Sequence, residues 1–76
     1  MKKLLPKGKI TIRHRQMRCV FQCFAGKNYI IGASGDTADD AARELEYLYD
    51  VPNGTIATVY GYKKPCQIII PTAKDK

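Results

Sequence analysis

The stretch GKNYIIGASGDTADDAARELEYLY, residues 26–49, decides the fold. It opens on a turn at Gly26–Lys27, and "NYII" then reads as an extended apolar run that Gly32 and Gly35 break. Thr37 stands where a helix N-cap belongs, with Asp40 three residues on, in the place a capping box gives to Glu or Gln. Asp39 and Asp40 suit the positive end of the helix dipole. Ala38, Ala41, Ala42, Leu45 and Leu48 follow the i, i+3, i+4, i+7 spacing of one apolar stripe, whose alanines permit close approach to a sheet. Pro52 and Asn53–Gly54 stop the helix.

Outward from that helix the pattern has period two. In "KITIRHR", residues 9–15, Ile10 and Ile12 alternate with Thr11, Arg13 and Arg15. "MRCVFQCFA", residues 17–25, sets Cys19, Phe21 and Cys23 on one side, with Arg18 and Gln22 on the other beside Val20 and Phe24. "TIATVYGY" and "CQIIIP" supply two more strands around the turn "KKP". Residues 1–8 read as a mobile basic arm and residues 72–76 as a frayed tail. The chain is therefore expected to be one small α+β domain, β-β-β-α-β-β. Its sheet should be single and antiparallel, of about five strands, with one helix on one face.

At 76 residues there is room for one core, and a chain this short buries only about 60–65% of its unfolded surface. The longest aliphatic run, Ile68–Ile70, falls far short of the ~20 residues a membrane span needs. "MKKLLP" is too brief in its apolar part for a signal peptide. A cytoplasmic location without membrane contact is expected. On one strand, Cys19 and Cys23 would lie roughly 13 Å apart, beyond disulfide reach. Reduced, packed cysteines are the plain expectation. A metal site from Cys19, Cys23, Cys66 and His14 lacks the C-x2-C knuckle, so no metal or other cofactor is expected.

Charge is segregated along the chain. Residues 1–27 hold eight Lys or Arg and no acid, whereas residues 36–50 hold six of the seven acids, interrupted only by Arg43. A net charge of +6 and a pI near 9.4 favour an anionic partner. With the helix on one sheet face, Arg13, Arg15 and Arg18 point away from it. Together with Lys27, Lys63, Lys64, Tyr60 and Tyr62 they form the candidate binding face, with Phe24 nearby. The alternative surface is the acidic helix flank, where Asp36, Asp40 and Glu44 recur every four residues. Against both stands the ordinary reading that a charge run is a solvated face and that acid early in a helix is capping.

Catalysis is not expected. His14 is the only histidine, and its parity with Ile10 and Ile12 implies partial burial against the core. No serine or cysteine has a recognisable partner motif, and "GKNYIIGASG" is neither a P-loop nor a dinucleotide fingerprint, so no small-molecule substrate is implied.

Two resemblances add to this. Residues 26–71 resemble small phage type I anti-CRISPR inhibitors in their order: Gly-Lys, strand, an alanine-rich helix led by Thr-Asp chemistry, then two strands ending Ile-Pro. The matching positions are Gly26, Lys27, Thr37, Ala41, Ala42, Val59, Ile70 and Pro71. The resemblance implies a non-catalytic inhibitor that docks on the protein subunits of a CRISPR-type nucleoprotein surveillance complex and blocks target DNA or nuclease recruitment. Many such inhibitors are acidic, whereas this chain is basic. Residues 10–49 also resemble the arm-type DNA-binding domains of phage integrases, which lay a three-stranded sheet in a major groove. That resemblance implies direct double-stranded DNA binding, with Arg13, Arg15 and Arg18 as the contacts. The aromatic residue usual after the third strand is replaced here by "GASGDT", and two further strands follow the helix.

Overall fold

A computed structural model of the protein describes residues 2–72. Its elements in chain order are β1 (Lys3–Leu4), β2 (Ile10–Arg15), β3 (Val20–Ala25), β4 (Tyr29–Gly35), α1 (Ala38–Leu48), β5 (Tyr49–Asp50), β6 (Thr55–Tyr60) and β7 (Cys66–Ile70). Five of the strands form one sheet in the order β4-β3-β2-β6-β7, and β1 with β5 forms a two-stranded parallel ladder. The α+β class, the five-stranded sheet and the single covering helix agree with the patterning. The sheet is mixed, because β2 and β6 run parallel while β2–β3, β3–β4 and β6–β7 are antiparallel. The reason is topological. β4 runs in the direction of β2, α1 carries the chain back across the sheet, and the next strand starts from the same end.

The helix begins as the sequence implies. Thr37 is in extended backbone and its Oγ1 accepts from the Asp40 N–H at 3.1 Å. Ala38, Ala41, Ala42 and Leu45 are buried, and Leu48 is half-buried. They pack on Ile12, Cys23, Ile31, Val59 and Ile70 from the facing side of the sheet. The alanines allow backbone to approach backbone: the Cys23 Sγ lies 3.6 Å from the Ala41 carbonyl oxygen. Gly35 belongs to the same contact, since a Cβ there would meet Asp40 Cβ at 2.6 Å and Ala41 N at 2.7 Å.

Four local readings change. Gly32 and Gly35 do not end the third strand, because β4 continues through both around a bulge against β3. Residues 16–19 are a turn rather than strand. Cys19 sits there at φ 57, its N–H donating to the Arg15 carbonyl at 2.7 Å. The alternation simply continues across a hairpin turn, so periodicity placed Cys19 and Cys23 on one strand where Cys19 is exposed in the turn and Cys23 is buried. His14 has the expected parity but is exposed, because β2 runs past the helix at that end. The arm is tied to the fold among its described residues, through the Lys3–Leu4 pairing with Tyr49–Asp50 and through Leu5 against the core. Of the tail, Thr72 donates its N–H to Glu46 Oε2 at 2.8 Å, and residues 73–76 lie outside the described residues.

Candidate binding face

The helix occupies one face of the five-stranded sheet, and no other element of the described residues packs on the second face. Strand parity and register assign the residues of that open face. One row across it runs Ile30, Phe24, Thr11, Thr58, Gln67, and the next runs Ser34, Gln22, Arg13, Tyr60. Ile56 pairs with Ile69 beyond the first row, and Arg15 with Val20 beyond the second. Thr11 and Thr58 are buried at the centre, and the Thr11 hydroxyl has no hydrogen-bond partner. Around them the face is apolar and open: Ile30 is 51% exposed, Ile56 48% and Ile69 62%.

Arg13 is the one charge held over the middle of this face. Its guanidinium carbon lies 4.5 Å from the Phe24 ring centroid, and Nη2 donates to the Lys27 carbonyl at 2.7 Å. The pair covers Phe24 almost completely and fixes the arginine by cation–π and hydrogen-bond geometry together. Arg15 ends β2, half-buried, and Arg18 is exposed on the turn that follows. Because β2 and β6 are parallel, the turn after β6, with exposed Lys63 and Lys64, lies at the same end of the sheet. Lys27 is exposed at the other end, in the β3–β4 turn beside Lys9. The cations therefore stand at both ends of a face whose outer strands expose Ile30, Ile56 and Ile69.

Of the sequence-derived candidates, Arg13, Arg15 and Tyr60 share the open face, while Arg18, Lys27, Lys63 and Lys64 rim it. Tyr62 does not belong there. Its ring packs on Phe21 at 5.4 Å, and Phe21 meets His14 at 5.0 Å, all on the helix side of the sheet. Gly61 makes that stack possible: its φ is +136, and a Cβ would lie 2.8 Å from His14 Cβ. On the alternative surface, Asp40 and Glu44 are one helical turn apart and exposed, with Asp40 bonded to Arg43 at 3.1 Å. Asp36 precedes the N-cap and so falls off the helical spacing.

Sequence reasoning missed Ile30, Ile56 and Ile69 as surface residues. The signal was present in "IATV" and "III", where both parities of a strand are apolar although only one faces a helix.

The thiols fall into two kinds. Cys19 and Cys66 are exposed, and Cys23 is buried, with its pKa pushed up to about 12, first by burial and then by the Glu44 carboxylate. Cys19, Cys23, Cys66 and His14 do not converge, and the described residues hold no group of three or more His, Cys, Asp or Glu placed to hold a metal ion. Two shallow depressions flank Tyr47, lined by Lys2, Lys3, Arg43, Glu46 and Leu48, with no nucleophile beside a base. No helix of the described residues is long and apolar enough to cross a membrane.

Compared with protein-family models, with curated proteins and with solved structures, the chain matches none.

Proposed function

We propose that this chain is a small non-enzymatic binding protein whose open sheet face docks on a protein subunit of a nucleoprotein complex. The observation that carries the reading is the sheet's one-sidedness, with an uncovered face that exposes isoleucines on its outer strands and cations at both ends. An apolar patch rimmed by charge suits a protein surface, whose contact core is depleted in charge. The cationic rim suits a partner surface with acidic margins. On the resemblance to type I anti-CRISPR inhibitors, the machine proposed is a CRISPR-type surveillance complex in the cytoplasm of a host cell. Occupying its surface would block target DNA or nuclease recruitment.

A second reading, direct binding of duplex DNA, has one observation in its favour: Arg13 and Arg15 project from the central strand of the open face. A purified surveillance complex with its guide RNA, and separately a mixed-sequence DNA duplex, discriminate between the two. Docking on protein predicts tight binding to the complex, weakened about 10–100-fold by Ile56→Asp at the centre of the contact. Free duplex should then bind only weakly, at about 10⁻⁴–10⁻⁶ M in physiological salt. Duplex binding as the main activity predicts the reverse. Affinity for naked duplex would be high, log K would fall with log salt at about −0.9 per neutralised phosphate, and Arg15→Ala would flatten that slope.

A further inference from the structure

The two edges of the five-stranded sheet are treated differently. β4, at one edge, carries a bulge: between the pairs Phe24–Ile30 and Gln22–Ser34, β3 advances two residues and β4 four. A bulged edge twists away from an incoming strand. β7, at the other edge, pairs with β6 in unbroken register from Cys66 to Ile70. Neither β6 nor β7 contains a charged residue or a proline, and Ile69 stands 62% exposed on the open face. Edges are ordinarily guarded by lysine, proline, a bulge or a covering element. Within its five residues β7 has none of these, and its outer row of backbone N–H and C=O groups has no partner strand among the described residues.

We propose that two copies of this chain pair along β7, antiparallel about a two-fold axis at Ile69, to make one continuous ten-stranded sheet. The occupant is a second copy for three reasons. The first is closure: β7 cannot join a bulged β4 of another copy, so the edge pairs with itself and the assembly stops at two. The second is side-chain complementarity. In antiparallel pairing about such an axis only residues of like parity face each other, and centring on Ile69 sets Ile69 against its own copy and Ile68 against Ile70, the paired segment ending where Gln67 meets Pro71. With Ile56 already beside Ile69, the open face gains an unbroken row of four isoleucines across the seam.

The third reason is electrostatic. Each copy carries a net charge of +6, so association must avoid the cationic ends. Lys64 lies five residues from the axis, about 17 Å at the strand rise, which sets it roughly 34 Å from its counterpart. That is several Debye lengths at about 8 Å each in physiological salt. Parallel pairing would instead place the two lysine turns side by side, at about the 4.8 Å strand spacing. This inference does not depend on the partner proposed above. Its effect on that reading would be to place two open faces on one side of a single sheet.

Sedimentation equilibrium across a concentration series tests the pairing. The wild type is expected to rise with concentration from 8.5 kDa toward twice that mass. Ile69→Lys, which brings two ammonium groups together at the axis, is expected to stay at the single-chain mass with an unchanged circular dichroism spectrum. Ile30→Lys, on the same face at the far edge, should assemble like the wild type. As a readout independent of a charged substitution, Ile69→Cys in a Cys19→Ser, Cys66→Ser background should give a disulfide-linked dimer on mild oxidation, and Ile30→Cys in that background should not. A wild type that holds the single-chain mass throughout would overturn the proposal. So would Ile69→Lys assembling as the wild type does, or equal cross-linking at both cysteine positions.

Discussion

Gln22 offers the sharpest test of how the sheet is held together. It is 7% exposed on β3, opposite the bulge, and its Nε2 donates to the carbonyls of Ile31 at 2.6 Å and Ala33 at 3.1 Å. Those carbonyls belong to the extra residues of β4, where the ladder with β3 is out of register. One side-chain amide thus replaces the ladder bonds that the bulge removes. Gln22→Leu keeps the volume and removes the donor. Each carbonyl left without a partner costs about 1–3 kcal/mol, and the open face lets water recover part of that, so the expected loss is about 2–3 kcal/mol. A chain of this length has about 4–11 kcal/mol in total, and the melting temperature should fall by about 8–20 °C. Urea titration followed by circular dichroism measures it, with exposed Gln67→Leu as the control, expected within about 0.5 kcal/mol of wild type. If Gln22→Leu matches that control, the amide is not what holds the bulge. Gln22→Glu adds a sign. Facing two carbonyl oxygens in a buried site, the carboxyl is raised above its usual ~4.3, since only its protonated form can donate. Its contribution is fully present below that value and lost as pH rises through the raised one, so the gap to wild type should narrow toward acid.

Leu45, fully buried in the helix stripe, should cost about 2–5 kcal/mol when cut to alanine, and Leu45→Asp should prevent folding; an unchanged urea midpoint for either would contradict the packing of α1 on the sheet. A thiol reagent at mildly alkaline pH should modify Cys19 and Cys66 quickly and Cys23 only at the rate of unfolding. Because the Cys23 thiol is raised to about 12 in the folded state, the unfolded chain ionises first, and stability should decline as pH rises from about 9 toward 12. Equal reactivity of all three thiols would refute the burial.

The helix was readable because its signals are local. Thr37, the first-turn acids and the alanine stripe each act within a few residues of where they stand, whereas the helix ends at Leu48 with Tyr49 extended, before Pro52 and Asn53–Gly54 are reached. The five strands of the main sheet were readable for the same reason, but the short β1–β5 ladder was not, since Lys3–Leu4 and Tyr49–Asp50 carry no alternation of their own. The parallel β2–β6 pairing was not, because no residue of either strand encodes its neighbour. The crossover geometry of β4, α1 and β6 does that. Nor was the bulge, because Gly32 reads equally as a break and as a strand position, and the residue that repairs it, Gln22, lies on the neighbouring strand ten residues earlier. Tyr62 was misplaced by simple alternation from Tyr60, since Gly61 at φ +136 turns the chain between them.

The separation of acid from base takes its meaning from the layers. Asp39, Asp40, Glu44 and Glu46 sit on the helix, which covers the sheet, with Asp36 and Asp50 at its two ends, and Asp40–Arg43 is the one ion pair among the described residues. The cations of β2 and its flanking turns are thus left without acidic partners of their own, and they stand around a face that no element covers. Were phosphate the target, the middle of that face would be the place to put charge, since a major groove must be filled as well as approached. The middle instead holds Phe24, Thr11 and Thr58, with Ile30 and Ile56 to either side. Its one guanidinium, Arg13, lies over a phenylalanine ring and is tethered to a backbone carbonyl. Lifting Arg13 to a phosphate would give up both contacts and uncover Phe24, whereas a protein surface can pack on the arginine plane where it lies. The geometry of this single side chain weighs toward an apolar partner surface with acidic margins.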